Sequence, residues 1–156
     1  MAWVRCSGGT KKTPTVDLID ELSSLSWTEG STGDVSAHSL SFANDSIVTT
    51  AQLKAYGSGN SYWWQSSNFA LSGQSKVVIT NNYTTAGSNP QGLTPYIDVI
   101  CNGVVVQTLT GNNSFAEITL PSNATNIAIR IRSAMINGSG QTWPTITTTV
   151  TQIALM

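Results

Sequence analysis

The sequence predicts an all-β domain, a two-sheet antiparallel β-sandwich of jelly-roll type, with a short N-terminal arm that contains one helix. From residue 35 onward, apolar and polar residues alternate with a period of two in successive short segments. Gly, Asn, Ser and Pro separate these segments, as they do in turns between strands. About nine or ten short strands in roughly 120 residues are typical of a sandwich rather than of an α/β fold.

The N-terminal arm is predicted over residues 1–30, ahead of the sandwich domain over residues 31–156. A short first strand is followed by a Gly/Lys/Pro link over residues 7–14. Residues 16–25 then place apolar side chains at helical spacing, with acidic residues early, where they favour a helix N-terminus. Because so short a helix needs a packing surface, we expect it on the domain's own sheet or, as the less favoured alternative, on another subunit.

The clearest local prediction is a hairpin at Asn102-Gly103. This dipeptide separates two β-branched runs and supplies the two positive φ angles of a type I′ turn. Further along the chain, residues 127–132 alternate isoleucine with Ala128, Arg130 and Arg132, which predicts core isoleucines and exposed arginines. The predicted strands cover residues 35–42, 46–56, 62–65, 76–80, 96–101, 104–109, 115–120, 126–133 and 145–155.

The chain carries little charge, and this excludes several classes of partner. Charged residues make up 10% of the sequence, against about 25% in ordinary soluble domains. The net charge of −1 gives no electrostatic footprint for nucleic acid. No apolar run approaches the length of a membrane span, and the start lacks the pattern of a secretory signal. We therefore expect no nucleic-acid partner and no membrane insertion.

No set of residues forms a catalytic or metal-binding motif, so the sequence predicts a protein that is not an enzyme and uses no metal or cofactor. Asp98 and Glu117 are isolated acids at polar positions of strands, which argues against the carboxylate pair of a glycosidase. His38 is the only histidine, and no Gly-x-Ser-x-Gly motif occurs. Cys6 and Cys101 are far apart and lack a Cys-x-x-Cys pattern. They are interpreted as separate thiols, with a single disulfide as the alternative.

Aromatic residues are the candidate binding residues, because the faces of Trp and Tyr rings stack on the C–H groups of pyranoses. Trp63 and Trp64 are neighbours in a predicted strand and must point to opposite faces, so at most one of them is core. Packing in the core or at an interface is the favoured role for these aromatic residues, a ligand platform is the alternative, and stabilisation of loops is the third. The candidate glycan-binding residues are Tyr62, Trp63, Trp64, Tyr96 and Trp143.

Residues 1–10 read MAWVRCSGGT, and this opening resembles the start of small virion proteins of phages and prophages of gut Firmicutes. Residues 96–133 are similar in texture to jelly-roll modules of tail, fibre and carbohydrate-binding proteins. The resemblance implies a non-catalytic structural protein, made in the host cytoplasm and displayed on the tail or capsid surface of the virion. Its implied partners are further copies of itself, other virion proteins and host-surface carbohydrate. A free-standing carbohydrate-binding module is the alternative, and a glycan hydrolase is the third hypothesis.

Overall fold

The computed structural model describes residues 16–56 and 59–156. Within these residues the only helix is seven residues long, and no helix there is long or apolar enough to cross a membrane. The elements, in chain order, are β1 (Val16–Asp17), α1 (Leu18–Ser24), β2 (Trp27–Thr32), β3 (Val35–Ala43), β4 (Ser46–Leu53), β5 (Ser61–Ser66), β6 (Phe69–Ala70), β7 (Lys76–Ala86), β8 (Leu93–Cys101), β9 (Val104–Thr110), β10 (Asn113–Thr119), β11 (Asn126–Met135) and β12 (Thr145–Leu155).

The strands form two six-stranded antiparallel sheets that face each other. Sheet A has the order β10-β7-β12-β4-β3, with β1 also paired to β12. Sheet B has the order β2-β5-β11-β8-β9, with β6 also paired to β11. The eight strands β10-β7-β12-β4 and β5-β11-β8-β9 form a jelly roll. In chain order, each of these strands lies in the opposite sheet from the one before it, except in the β8–β9 hairpin. The predicted all-β, two-sheet jelly-roll fold is thereby confirmed.

Local sequence pattern sets the burial of these strands. Along β4 and β5 every second residue is buried, as the period of two requires. In β11, Ile127, Ile129 and Ile131 are buried while Arg130 and Arg132 are only partly covered. The hairpin between β8 and β9 has Asn102 at φ 49° and Gly103 at φ 79°, which confirms the predicted type I′ turn.

Helix α1 belongs to the core of the sandwich. The Asp17 side chain caps it by accepting a hydrogen bond from the Ile19 backbone N–H at 3.0 Å. Leu18, Ile19 and Leu22 are buried in the larger hydrophobic cluster, together with residues of both sheets, and the helix packs against β12. The prediction of a short helix on the domain's own sheet is confirmed.

Strand β2, which the sequence analysis missed, lies across the predicted boundary between the arm and the sandwich. It pairs with β5 along its whole length, from Trp27 opposite Ser66 to Thr32 opposite Ser61. Trp27 also joins it to the helix, because its indole N–H donates to the Leu22 carbonyl at 2.9 Å. The boundary at residue 30 therefore falls inside a strand of sheet B. The predicted first strand and the link over residues 7–14 lie outside the described residues.

Candidate functional site

The outer face of sheet B carries a row of side chains that the strand register places side by side. Trp63 of β5 lies opposite Gly30 of β2 on one side and Arg132 of β11 on the other. Arg132 in turn lies opposite Tyr96 of β8. We call Gly30, Trp63, Arg132 and Tyr96 the aromatic row. Since neighbouring strands are about 4.8 Å apart, Trp63 and Tyr96 are separated by about 10 Å.

Gly30 makes room for the indole of Trp63. A Cβ atom on Gly30 would lie 2.5 Å from Trp63 Cζ2 and 2.7 Å from Cε2, closer than any real contact. The indole therefore occupies the space over the β2 backbone, where it is half-buried. A planar apolar group fixed in this way on a sheet face is a suitable surface for the C–H side of a ring ligand.

Arg132 and Tyr96 form the other end of the row as a stacked pair. The Arg132 guanidinium carbon lies 4.2 Å from the centroid of the Tyr96 ring, within the range of a cation–π contact. The guanidinium therefore lies against the Tyr96 ring, on the strand between those of the two aromatic residues. The row therefore offers an apolar surface at Trp63 and a fixed set of N–H donors next to it.

A second, polar row lies beside the aromatic row on the same face, and consists of Gln65, Arg130, Asp98 and Thr108. Asp98 accepts hydrogen bonds from Arg130 Nε at 2.8 Å and from Thr108 Oγ1 at 2.7 Å. These neighbours leave Asp98 1% exposed. Asp98 thus points outward from the sheet, as predicted, but its charge is already neutralised by the ion pair with Arg130.

The remaining candidate residues lie elsewhere. Tyr62 and Trp64 face the inside of the sandwich, with 5% and 3% of their surface exposed. A sugar cannot stack on either ring, so both leave the set of candidate ligand contacts. Trp143 lies in the loop between β11 and β12, is 37% exposed, and has Lys54 Nζ 5.9 Å from its ring centroid. It belongs to a separate loop surface and is not brought to the aromatic row.

The buried Tyr62 of β5 lies next to β2 in its own sheet and contacts His38 of β3 in the facing sheet. Its ring stacks on His38 with centroids 4.0 Å apart, and the Glu29 carboxylate lies 3.7 Å from His38 Nδ1. Burial, together with the neighbouring Glu29, raises the pKa of Tyr62 to about 12.

This pKa predicts a loss of stability in alkali. The unfolded chain ionises Tyr62 near pH 10, its ordinary pKa, whereas the folded protein keeps the proton until about pH 12. The contribution of protonated Tyr62 to the free energy of unfolding is therefore complete below pH 10. It is lost between pH 10 and 12, at up to about 1.4 kcal/mol per pH unit. We expect Tyr62→Phe to lose this slope in urea titrations at each pH, whereas Tyr56→Phe, at an exposed tyrosine, keeps it. Equal slopes in wild type and Tyr62→Phe would contradict the assignment.

Cys101 and Glu117, the other titratable candidates, form no catalytic or metal-binding group with other described residues. Cys101 is buried in the larger core cluster, and burial raises the pKa of its thiol; Cys6 lies outside the described residues. Glu117 is on sheet A and pairs with Lys76 at 2.6 Å. In the part of the chain that the structure describes, no three His, Cys, Asp or Glu side chains gather as metal ligands would.

No protein-family model and no curated protein sequence matches the chain. Among solved structures, it is similar to TmCBM61 in complex with β-1,4-galactotriose, at 14% identity over 83% of this chain and 87% of that one, with a TM-score of 0.50. The chain has the β-sandwich fold of carbohydrate-binding modules. It is also similar to a family 32 module from C. perfringens NanJ in complex with galactose, at 17% identity over 91% and 98% of the two chains and a TM-score of 0.41. Bacteriophage CBA120 tailspike protein 4 matches at 12% identity, with a TM-score of 0.47, over 83% of this chain and 19% of that one.

Two members of the row, Gly30 and Arg132, were missed as site residues by the sequence analysis. Gly30 sits in the strand that was not predicted, and Arg132 was predicted only as an exposed strand residue. The alternation in residues 127–132 carried the signal for Arg132, since it placed both arginines on the outer face. Only the order of the strands shows that this arginine lies between two aromatic residues.

Proposed function

We propose that the chain is a non-catalytic glycan-binding module whose ligand lies on the aromatic row of sheet B. The observation that carries the proposal is the fixed indole of Trp63 over Gly30, next to the stacked Arg132 and Tyr96. One sugar ring packs its C–H face on Trp63. Its hydroxyls and those of the next unit bond to the donors of Arg132 and to Gln65 in the polar row.

The shape of this face suits an extended chain of sugars. The aromatic row crosses four strands, β2-β5-β11-β8, and therefore extends over about 14 Å. Internal sugar units of a polysaccharide can lie along an open face that crosses several strands, whereas a closed pocket admits only the end of the chain. The proposed ligand is accordingly an oligosaccharide or polysaccharide bound lengthwise.

The two acids considered for a hydrolase, Asp98 and Glu117, each form an ion pair and lie apart from each other. Asp98 is covered and paired with Arg130, so its carboxyl group is not accessible to a sugar. Glu117 lies on β10 of sheet A, in a different sheet from Asp98 on β8. The two acids therefore do not flank a common sugar, as a glycosidase would require. This supports binding without turnover.

Binding of the purified chain to immobilised glycans, followed by titration calorimetry, tests the proposal. We expect Trp63→Ala to weaken binding by about tenfold or more, a loss of about 1.4 kcal/mol, while the chain still unfolds in one cooperative transition. Trp143→Ala removes an equally large aromatic from the loop surface and is expected to bind as wild type does. Binding that survives Trp63→Ala but is lost in Trp143→Ala would move the ligand to the loops. A wild-type chain that binds no glycan would refute the function.

We further propose that the module is displayed as a homo-oligomer on a phage tail or capsid. The resemblance of residues 1–10 to virion proteins supports this setting, as does a nearly neutral surface, on which many copies pack without repulsion. Residues 1–14 would dock the module on the particle or on a neighbouring copy. Light scattering of the full chain and of a variant lacking residues 1–14 tests this, with an oligomer expected only for the full chain. A monomeric full chain would favour the free-standing module instead.

A further inference from the structure

Among the residues that the structure describes, the ion pairs leave one lysine or arginine without a carboxylate. Of the four lysine and arginine side chains in the described residues, three are paired: Lys54 with Asp34 at 3.1 Å, Lys76 with Glu117 at 2.6 Å, and Arg130 with Asp98 at 2.8 Å. Arg132 has no carboxylate within 4.0 Å among the described residues, which include all eight acids of the chain. In the described part of the chain, the unpaired cation is thus Arg132, which lies between Trp63 and Tyr96 in the aromatic row.

The surroundings of Arg132 strengthen its attraction for a negatively charged ligand. Its neighbours across the strands are Trp63 and Tyr96, and its side chain is partly covered. Charges beside apolar groups interact more strongly with a counter-ion than charges in open water do. The nearest acid along the same face, Asp98, is already bonded to Arg130 and Thr108. Within the described residues, this face therefore carries one cation without a paired carboxylate, and that cation lies on the proposed binding surface.

The stacking on Tyr96 also leaves the guanidinium free to bind. Contact with an aromatic ring does not use up the N–H donors of a guanidinium, so the donors of Arg132 are available to a ligand. A carboxylate matches this planar fork through two parallel hydrogen bonds. A neutral hydroxyl fills one donor and leaves the charge uncompensated.

We propose that the aromatic row selects an acidic sugar, a uronic acid, whose carboxylate binds Arg132 while a neighbouring sugar ring packs on Trp63. This inference rests on the proposed glycan-binding function and specifies its class of ligand. Arg132 is the residue that determines specificity, and Trp63 supplies affinity that is common to neutral and acidic glycans.

Two polymers that differ only in charge test the inference: polygalacturonate and the same polymer with its carboxylates methyl-esterified. We expect wild type to bind polygalacturonate about tenfold or more tightly than the ester at low ionic strength. Arg132→Gln is expected to abolish this preference, because it weakens binding of polygalacturonate about tenfold more than it weakens binding of the ester. Arg132→Lys keeps the charge but loses the planar fork, and is expected to retain only part of the preference.

Lys76→Gln is the matched control, because it removes one positive charge from sheet A, away from the row. It is expected to keep the full preference, which separates a local contact from an effect of net charge. Dextran sulfate and dextran serve as a second pair, and tighter Arg132-dependent binding to dextran sulfate than to polygalacturonate would overturn the carboxylate in favour of a sulfate.

Equal affinity of wild type for polygalacturonate and its ester would overturn the inference while leaving glycan binding intact, provided that Trp63→Ala still abolishes it. A preference that survives Arg132→Gln would also overturn it, since another group would then read the charge. Absence of binding to every polymer would refute the proposed function itself.

Discussion

Replacing Leu22 with alanine is expected to lower the free energy of unfolding by about 2–5 kcal/mol. Leu22 is 1% exposed and contacts the larger core cluster through the inner face of α1. Seven residues are too few for a helix that is stable on its own. Helix and core therefore stabilise each other, and a cavity under α1 removes packing on which both depend.

Urea denaturation measures this effect, with Ser23→Ala as the control on the exposed side of the same helix. Ser23 bonds only the Asp20 carbonyl within its own turn, so we expect its replacement to change the free energy of unfolding by less than about 0.5 kcal/mol. Equal effects of the two substitutions would show that α1 is an appendage and that the sandwich folds without it.

The local sequence pattern predicts α1 and most of the strands, but it does not predict β2. The helix and most strands have a clear period, and in β11 the period even indicates which residues are buried. Strand β2 has no such pattern, because Thr28, Glu29, Gly30 and Ser31 are all polar or lack a side chain. This segment forms a strand because it pairs with the edge of β5, a strand that comes later in the sequence. A tertiary partner, not local propensity, determines this element.

The candidate site is less predictable than the fold, for the same reason. Sequence reasoning stated correctly that Trp63 and Trp64 face opposite ways, and the structure shows that Trp64 is the buried one. The aromatic row, however, combines residues of β2, β5, β11 and β8, which are distant in sequence. Their proximity depends on strand order and register, and one residue of slip in any strand would place its member inside the sandwich.

Replacing Gly30 with alanine is expected to weaken glycan binding by about tenfold or more, or about 1.4 kcal/mol, without removing any group that touches the ligand. The new Cβ would lie 2.5 Å from Trp63 Cζ2, and a flexible side chain gives way more readily than a paired backbone. The indole must leave its position on the row. Stability should change little, since alanine gains about 0.5–1 kcal/mol over glycine in a strand and this offsets the lost packing of the displaced indole.

A double-mutant cycle decides whether Gly30 acts through Trp63. Once Trp63 is alanine, a Cβ at position 30 has no indole to displace, so Gly30→Ala in the Trp63→Ala background should cause no further loss of affinity. Thr32→Ala, two residues along the same face of β2, is the matched control and should bind as wild type does. Additive effects would mean that the β2 backbone itself contacts the ligand. Full binding by Gly30→Ala, with the tryptophan emission changed, would show that the position of Trp63 is irrelevant and would remove the aromatic row as the site.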